Sequence, residues 1–128
     1  VKTIVAPIHL KPHPTNEHLM VGEVGGHQVI VGNHYDEGTL GFFIPDGAII
    51  PDKLAEEMWV KGKLSGKQKN RVKARTMQGV QSEGLFYGSR YWTIQDGERV
   101  YVDSASWNSD WIVGQDVSQE VGIQYAGS

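Results

Sequence analysis

Glycine sets the first limit on this chain. It supplies 16 of the 128 residues, and it punctuates apolar stretches that are short and rich in β-branched and aromatic side chains. Such punctuation leaves no room for long helices and favours a small barrel or sandwich. The expected strands are Thr3–Leu10, Leu19–Val24, His27–Val31, Thr39–Ile44, Arg71–Met77 and Gly84–Tyr87. Gly25-Gly26 and Asp96-Gly97 are hairpin turns, because Gly accepts the positive φ that tight connections require. The second turn joins Tyr91–Gln95 to Glu98–Val102. Helix signals are few. Asp52–Trp59 predicts about two turns, with Asp52 as N-cap and Leu54 and Met58 on one face. Asp116–Val121 predicts one turn capped by Asp116, with Gln119 three residues later.

Length and cysteine content narrow the class further. A chain of 128 residues suits one domain with a core of its own. With no cysteine it holds no disulfide, thiolate metal site or catalytic thiol. Its longest apolar runs, such as Leu40 to Ile44, fall far short of the ~20 residues a membrane-spanning helix needs. No charged segment followed by an apolar stretch opens the chain, so a cytoplasmic location is expected. The sequence does not begin with Met, which fits a piece of a longer protein.

The formal net charge of -3 points away from nucleic acid, but the charges are segregated. Lys61, Lys63, Lys67, Lys69, Arg71, Lys73 and Arg75 lie within fifteen positions that contain no carboxylate. The rest of the chain carries five basic against fifteen acidic residues. Arg71, Lys73 and Arg75 alternate with Val72, Ala74 and Thr76, which on a strand puts all three on one face. Phosphate is the commonest partner that offsets the repulsion among such charges. A solvated lysine-rich loop is the plain alternative.

The order of motifs carries a resemblance. Lys11-Pro12-His13-Pro14-Thr15-Asn16-Glu17-His18-Leu19 leads through Val21-Gly22-Glu23-Val24 to Gln28-Val29-Ile30-Val31-Gly32. Then come Gly38-Thr39-Leu40, Phe43-Ile44-Pro45-Asp46-Gly47-Ala48-Ile49-Ile50-Pro51, and Arg71 through Thr76-Met77-Gln78-Gly79-Val80-Gln81-Ser82-Glu83-Gly84-Leu85. Over residues 5–88 this series resembles the N-terminal OB-fold module of the nick-sealing ATP-dependent RNA ligases. In outline it is also similar to the tRNA-binding domain of methionyl- and bacterial phenylalanyl-tRNA synthetases. The insertion Asp52–Asn70 and the segment Val113–Tyr125, which is similar to the ligase link towards the catalytic domain, favour the ligases. The Tyr91–Val102 hairpin departs from both patterns.

The resemblance implies an all-β fold with minor helix: a five-stranded OB barrel, an inserted short helix and basic loop, and an extra C-terminal hairpin. Residues 1–112 would form the nucleic-acid-binding module, and 113–128 a linker and the start of a helical segment towards a catalytic domain. The implied partners are RNA or a nicked RNA-containing duplex and a tethered nucleotidyltransferase domain. ATP and a divalent cation are implied for that parent ligase, not for this chain. Such ligases hold their lysine nucleophile in a Lys-x-Asp-Gly motif, and this sequence has none; Ile44-Pro45-Asp46-Gly47 and Ile94-Gln95-Asp96-Gly97 lack the lysine. The chain alone is therefore not expected to be an enzyme. It also lacks a phosphate-binding G-x-x-x-x-G-K-[ST] loop.

The expected binding residues are Trp59, Lys61, Lys63, Lys67, Lys69, Arg71, Lys73, Arg75, Gln81 and Ser82. Arginines fork onto phosphates, lysines act as point charges, and aromatic rings stack with bases. Phe42, Tyr87 and Trp92 are further candidate platforms, each also suited to the core. Gln81, Ser82 and Glu83 either touch phosphate and sugar or form the turn between strands. His9, His13, His18, His27 and His34 show no metal-ligand spacing, and no metal site is expected. Two alternatives stay open: a tRNA-binding OB module, and a protein-interaction domain whose basic strip meets an acidic partner.

Overall fold

The computed structural model describes residues 2–125. Strands β1 (Val5–Pro12), β2 (Leu19–Val24), β3 (His27–Gly32), β4 (Leu40–Pro45) and β5 (Ala48–Ile49) precede helix α1 (Asp52–Glu57). After it come β6 (Arg75–Met77), β7 (Val80–Ser82), β8 (Gly84–Gly88), β9 (Arg90–Gln95), β10 (Glu98–Asp103), α2 (Ser118–Val121) and β11 (Gln124–Tyr125). Five antiparallel strands in the order β3-β2-β1-β4-β8 make a sheet nearly closed into a barrel. This is the all-β architecture with an inserted helix and an extra hairpin that the motif order predicts.

Three hairpins use the same device. Gly25-Gly26 (φ 56 and 86), Gln78-Gly79 (φ 50 and 85) and Asp96-Gly97 (φ 51 and 79) each join paired strands through two left-handed residues. That backbone matches the twist of the strands it connects. The turn at Gln78-Gly79 is the one the sequence conceals, because Gln rarely takes positive φ.

Side-chain bonds close the barrel between β3 and the start of β8. The Gln28 amide donates to Glu83 Oε2 at 2.7 Å, and the Ile30 amide to Ser82 Oγ at 3.1 Å. Ser82 Oγ donates in turn to the Gly84 carbonyl at 3.0 Å. A Cβ on Gly84 would stand 2.1 Å from the Ile44 carbonyl oxygen, so only glycine lets β8 approach β4 here. The Ser-x-Gly of the matched motif is thus a clasp.

Strand β4 is buried on both faces, because the barrel has two cores. Inside lie Ile8, Val24, Val29, Phe43 and Phe86. Against the outer wall of β4 and β8, a second cluster joins Phe42, Ile44 and Tyr87 to Leu54 and Ala55 of α1, and to Trp111, Val117 and Ile123. The segment after residue 113, which sequence similarity reads as a linker, packs here. Val117 N–H bonds the Thr3 carbonyl at 2.9 Å, and β11 pairs with β5. Residues 126–128 of that segment lie outside the described ones.

Several local expectations are corrected. The strand foreseen over Arg71–Met77 is a ladder only from Arg75; Arg71 is held by single bridges to Ile49 and Ser65. Strand formation stops because the Ala74 amide bonds the Asp46 carboxylate at 2.9 Å instead of a neighbouring backbone. Helix α1 ends at Glu57 and has Pro51, not Asp52, at its N-cap position, with no side-chain cap. Pro needs no partner for a missing N–H, and Asp52 in the first turn still complements the helix dipole. The second helical segment begins at Ser118; Asp116 bonds Ser118 through both its amide and its hydroxyl, at 3.0 and 2.6 Å.

Candidate nucleic-acid interface

The seven cations occupy one continuous stretch of turns and extended chain that runs from the end of α1 into the start of β6. Gly62 and Gly66, both at positive φ, fold residues 61–69 into consecutive turns, with Lys63, Lys67 and Lys69 exposed. The loop is pinned shut where Ser65 and Arg71 exchange both backbone bonds, at 2.9 and 3.0 Å. Next, Val72 is buried in the second core while Arg71 and Lys73 face outward, and Arg75 is exposed on β6. The period-two alternation of charge therefore survives although the ladder does not, because Val72 is the anchor.

Ion pairing divides the cations. Lys61 Nζ lies 2.7 Å from Glu56 Oε1, and that carboxylate raises the ammonium's pKa above its ordinary value. Among the described residues, no carboxylate lies within 4 Å of the side-chain nitrogens of the other six. Arg71 and Lys73 share a small concavity with Ser65, Gly66 and Asp46, whose carboxylate moderates the positive field there. Like charges left unpaired on a surface favour an external anion.

Trp59 stands apart from every other aromatic residue: it is 79% exposed. It follows α1 with φ 62, in the left-handed position that ends a helix and is normally glycine. Trp59 N–H bonds the Glu56 carbonyl at 3.1 Å and Val60 N–H the Ala55 carbonyl at 2.9 Å, a complete Schellman closure. The backbone strain is tolerated because Met58 and Val60 pack against the second core on either side. Phe42 and Tyr87 are core residues stacked at 4.8 Å. Trp92 is half-buried, with the Arg99 guanidinium 4.1 Å above its ring.

Gln81 is exposed, but its carbonyl already accepts the Gln28 side-chain amide at 2.8 Å. Ser82 is buried and its hydroxyl is engaged in the clasp. The structure therefore brings Arg71 and Lys73 together and leaves Trp59 exposed just ahead of the cationic stretch in the chain, while Ser82 faces inward.

Trp59 also borders a concavity of about 400 Å³ between the two cores, which sequence reasoning missed. Its lining includes His34, Tyr35 and Tyr91. These residues are dispersed along the chain, and the one local signal was a tryptophan where a helix ends without glycine. Burial lowers the pKa of His34. Two other histidines make structural contacts: His13 Nδ1 accepts the Thr15 amide and its Nε2–H reaches the Met77 carbonyl at 3.0 Å, while His27 stacks on Phe43 at 4.4 Å. Among the described residues, no group of three or more His, Cys, Asp or Glu could hold a metal ion. No helix among them is long and apolar enough to cross a membrane.

No protein-family model matches the sequence, and no curated protein is similar enough to count as a match. Solved structures do match. A point mutant of Naegleria gruberi RNA ligase with ATP and Mn superposes with a TM-score of 0.74 at 16% identity, over 96% of this chain and 34% of that one. A second variant of it with ATP and Mn gives 0.73 at 18%, over 98% and 35%. The same ligase with PPi gives 0.72 at 17%, over 96% and 34%. This chain spans about a third of the length of the structures it matches, and within that third it has the fold of the Naegleria RNA ligase.

Proposed function

We propose that this chain is the nucleic-acid-binding OB module of an RNA ligase. It docks on nicked RNA or an RNA–DNA duplex through phosphate contacts and presents the nick to a separate nucleotidyltransferase domain. The observation that carries this reading is the set of six exposed cations without carboxylate partners among the described residues, on a barrel whose other charges are mostly acidic. Residues 1–112 would do the binding, with 113–128 leading towards the partner domain in a cytoplasmic protein. ATP and a divalent cation would serve that domain, since this chain has no Lys-x-Asp-Gly lysine to take AMP.

Chemically, Arg71 and Arg75 suit bidentate grip on phosphate, and the loop lysines add point charges that adapt to backbone spacing. Contacts of this kind hold register and orientation with little base reading. Tethering then raises the effective concentration of the nick at the catalytic domain without any new contact. Binding isotherms on a nicked RNA duplex at several salt concentrations test this. Four to six phosphate contacts give a slope of log K against log salt of about -3 to -5. Replacing Arg71, Lys73 and Arg75 together by Ala should abolish most of the affinity. Unchanged affinity in a folded triple variant would overturn the reading.

A further inference from the structure

The concavity beside Trp59 differs chemically from the cationic stretch that follows Trp59 in the chain. No lysine or arginine lines it. Its one carboxylate, Glu57, is already engaged: it accepts the Tyr87 hydroxyl at 2.6 Å and also the Ser106 hydroxyl. Met58, Val60 and Leu85 supply apolar surface. A phosphate would find no countercharge inside, yet Lys63 follows Trp59 by only four residues. The space therefore suits a neutral, flat group covalently attached to an anion that stays outside.

Two further features match a heteroaromatic ring. Trp59 offers a large exposed ring at the border, and its strained backbone position is a cost the fold bears without gaining burial. Opposite in character is His34, a half-buried imidazole held in place on several sides. Its ring lies 4.6 Å from that of Tyr35 and edge-on to Tyr91 at 6.1 Å. It packs so closely over Gly32 that a Cβ there would come within 2.6 Å of it. Burial disfavours its charged form, and a neutral imidazole presents one donor and one acceptor, as base edges do.

We propose that this pocket receives a single unstacked nucleobase of an RNA strand whose phosphates lie on the cations from Lys63 to Arg75. Trp59 stacks on the base and His34 meets its polar edge. The proposal rests on the nucleic-acid reading above but adds a site that phosphate docking does not need.

The test compares a short single-stranded RNA with an abasic ribose-phosphate chain of the same length, so that phosphates are equal and only bases differ. The unaltered chain should prefer the RNA by about 5- to 150-fold, the range for one stacked base. Trp59→Ala should remove most of that preference and leave the salt slope on the abasic chain unchanged. Because Trp59 is exposed, circular dichroism should show this variant folded. Equal affinity for the two chains with a steep salt slope overturns the pocket and leaves phosphate docking standing. Absence of binding to both RNA and nicked duplex at low salt overturns both. An undiminished preference in Trp59→Ala places the base elsewhere and overturns the pocket.

Discussion

Ser82 joins the two edges of the barrel by accepting a hydrogen bond from the Ile30 amide and donating its own to the Gly84 carbonyl. A hydroxyl is well suited to this place, since it is small, buried and both donor and acceptor. Ser82→Ala would leave a buried N–H and a carbonyl without partners, at a cost of about 1–3 kcal/mol. Denaturant unfolding measures it: the midpoint should fall while RNA affinity of the folded protein holds. An unchanged midpoint would mean that water replaces the hydroxyl.

Glu83 supplies the neighbouring bond, and its pKa sits below the ordinary 4.5, chiefly because the Gln28 amide bonds the carboxylate, with His27 assisting. A carboxyl lowered in the folded state stabilises fully above its unfolded pKa. That contribution is lost as pH falls through the lower folded value. As pH falls below the ordinary 4.5, the native chain should therefore lose stability faster than Glu83→Gln. Thermal melts across that range compare the two, and parallel curves would rule the linkage out.

Trp59 occupies a glycine's conformation, so Trp59→Gly should raise stability by roughly 1 kcal/mol through relief of left-handed strain. The same change should weaken RNA binding. Opposite movements of melting temperature and affinity in one variant would mark a residue kept for its surface; a fall in both would mean that the side chain supports the fold.

Glu56 neutralises Lys61. Glu56→Gln should free that ammonium for phosphate and steepen the salt slope by about 0.9. Salt titration of this single variant suffices, and an unaltered slope would place Lys61 off the bound strand.

Local signals reached the barrel because its turns are written in glycine and its inner residues alternate. Gly25-Gly26 and Asp96-Gly97 mark hairpins that the structure contains, and β2 spans the same residues in both readings. The second core was not legible, since Phe42 and Phe43 are adjacent and both buried, which period two cannot express. Its other members, from Val5 on β1 through Ala48, α1, Val72 and Tyr87 to Trp111, Val117 and Ile123, are scattered along the chain and united only by tertiary packing. The cations were legible from spacing, but their division by Glu56 was not. His34 and Tyr91 gave no sign of sharing a pocket, because 56 residues separate them in the sequence and only β8 and β9 bring them together.

Thr3 and Tyr125 meet through their hydroxyl groups at 3.0 Å, and Val5 exchanges backbone bonds with Gly114 and Gln115. The first and last described segments thus leave the barrel side by side. Such a unit can hang from a host chain at one point, as a pendant, without its insertion stretching either flank. A circular permutant that links these ends and opens at the Asp96-Gly97 turn should keep the barrel, since the break falls on an exposed hairpin tip that carries none of either core.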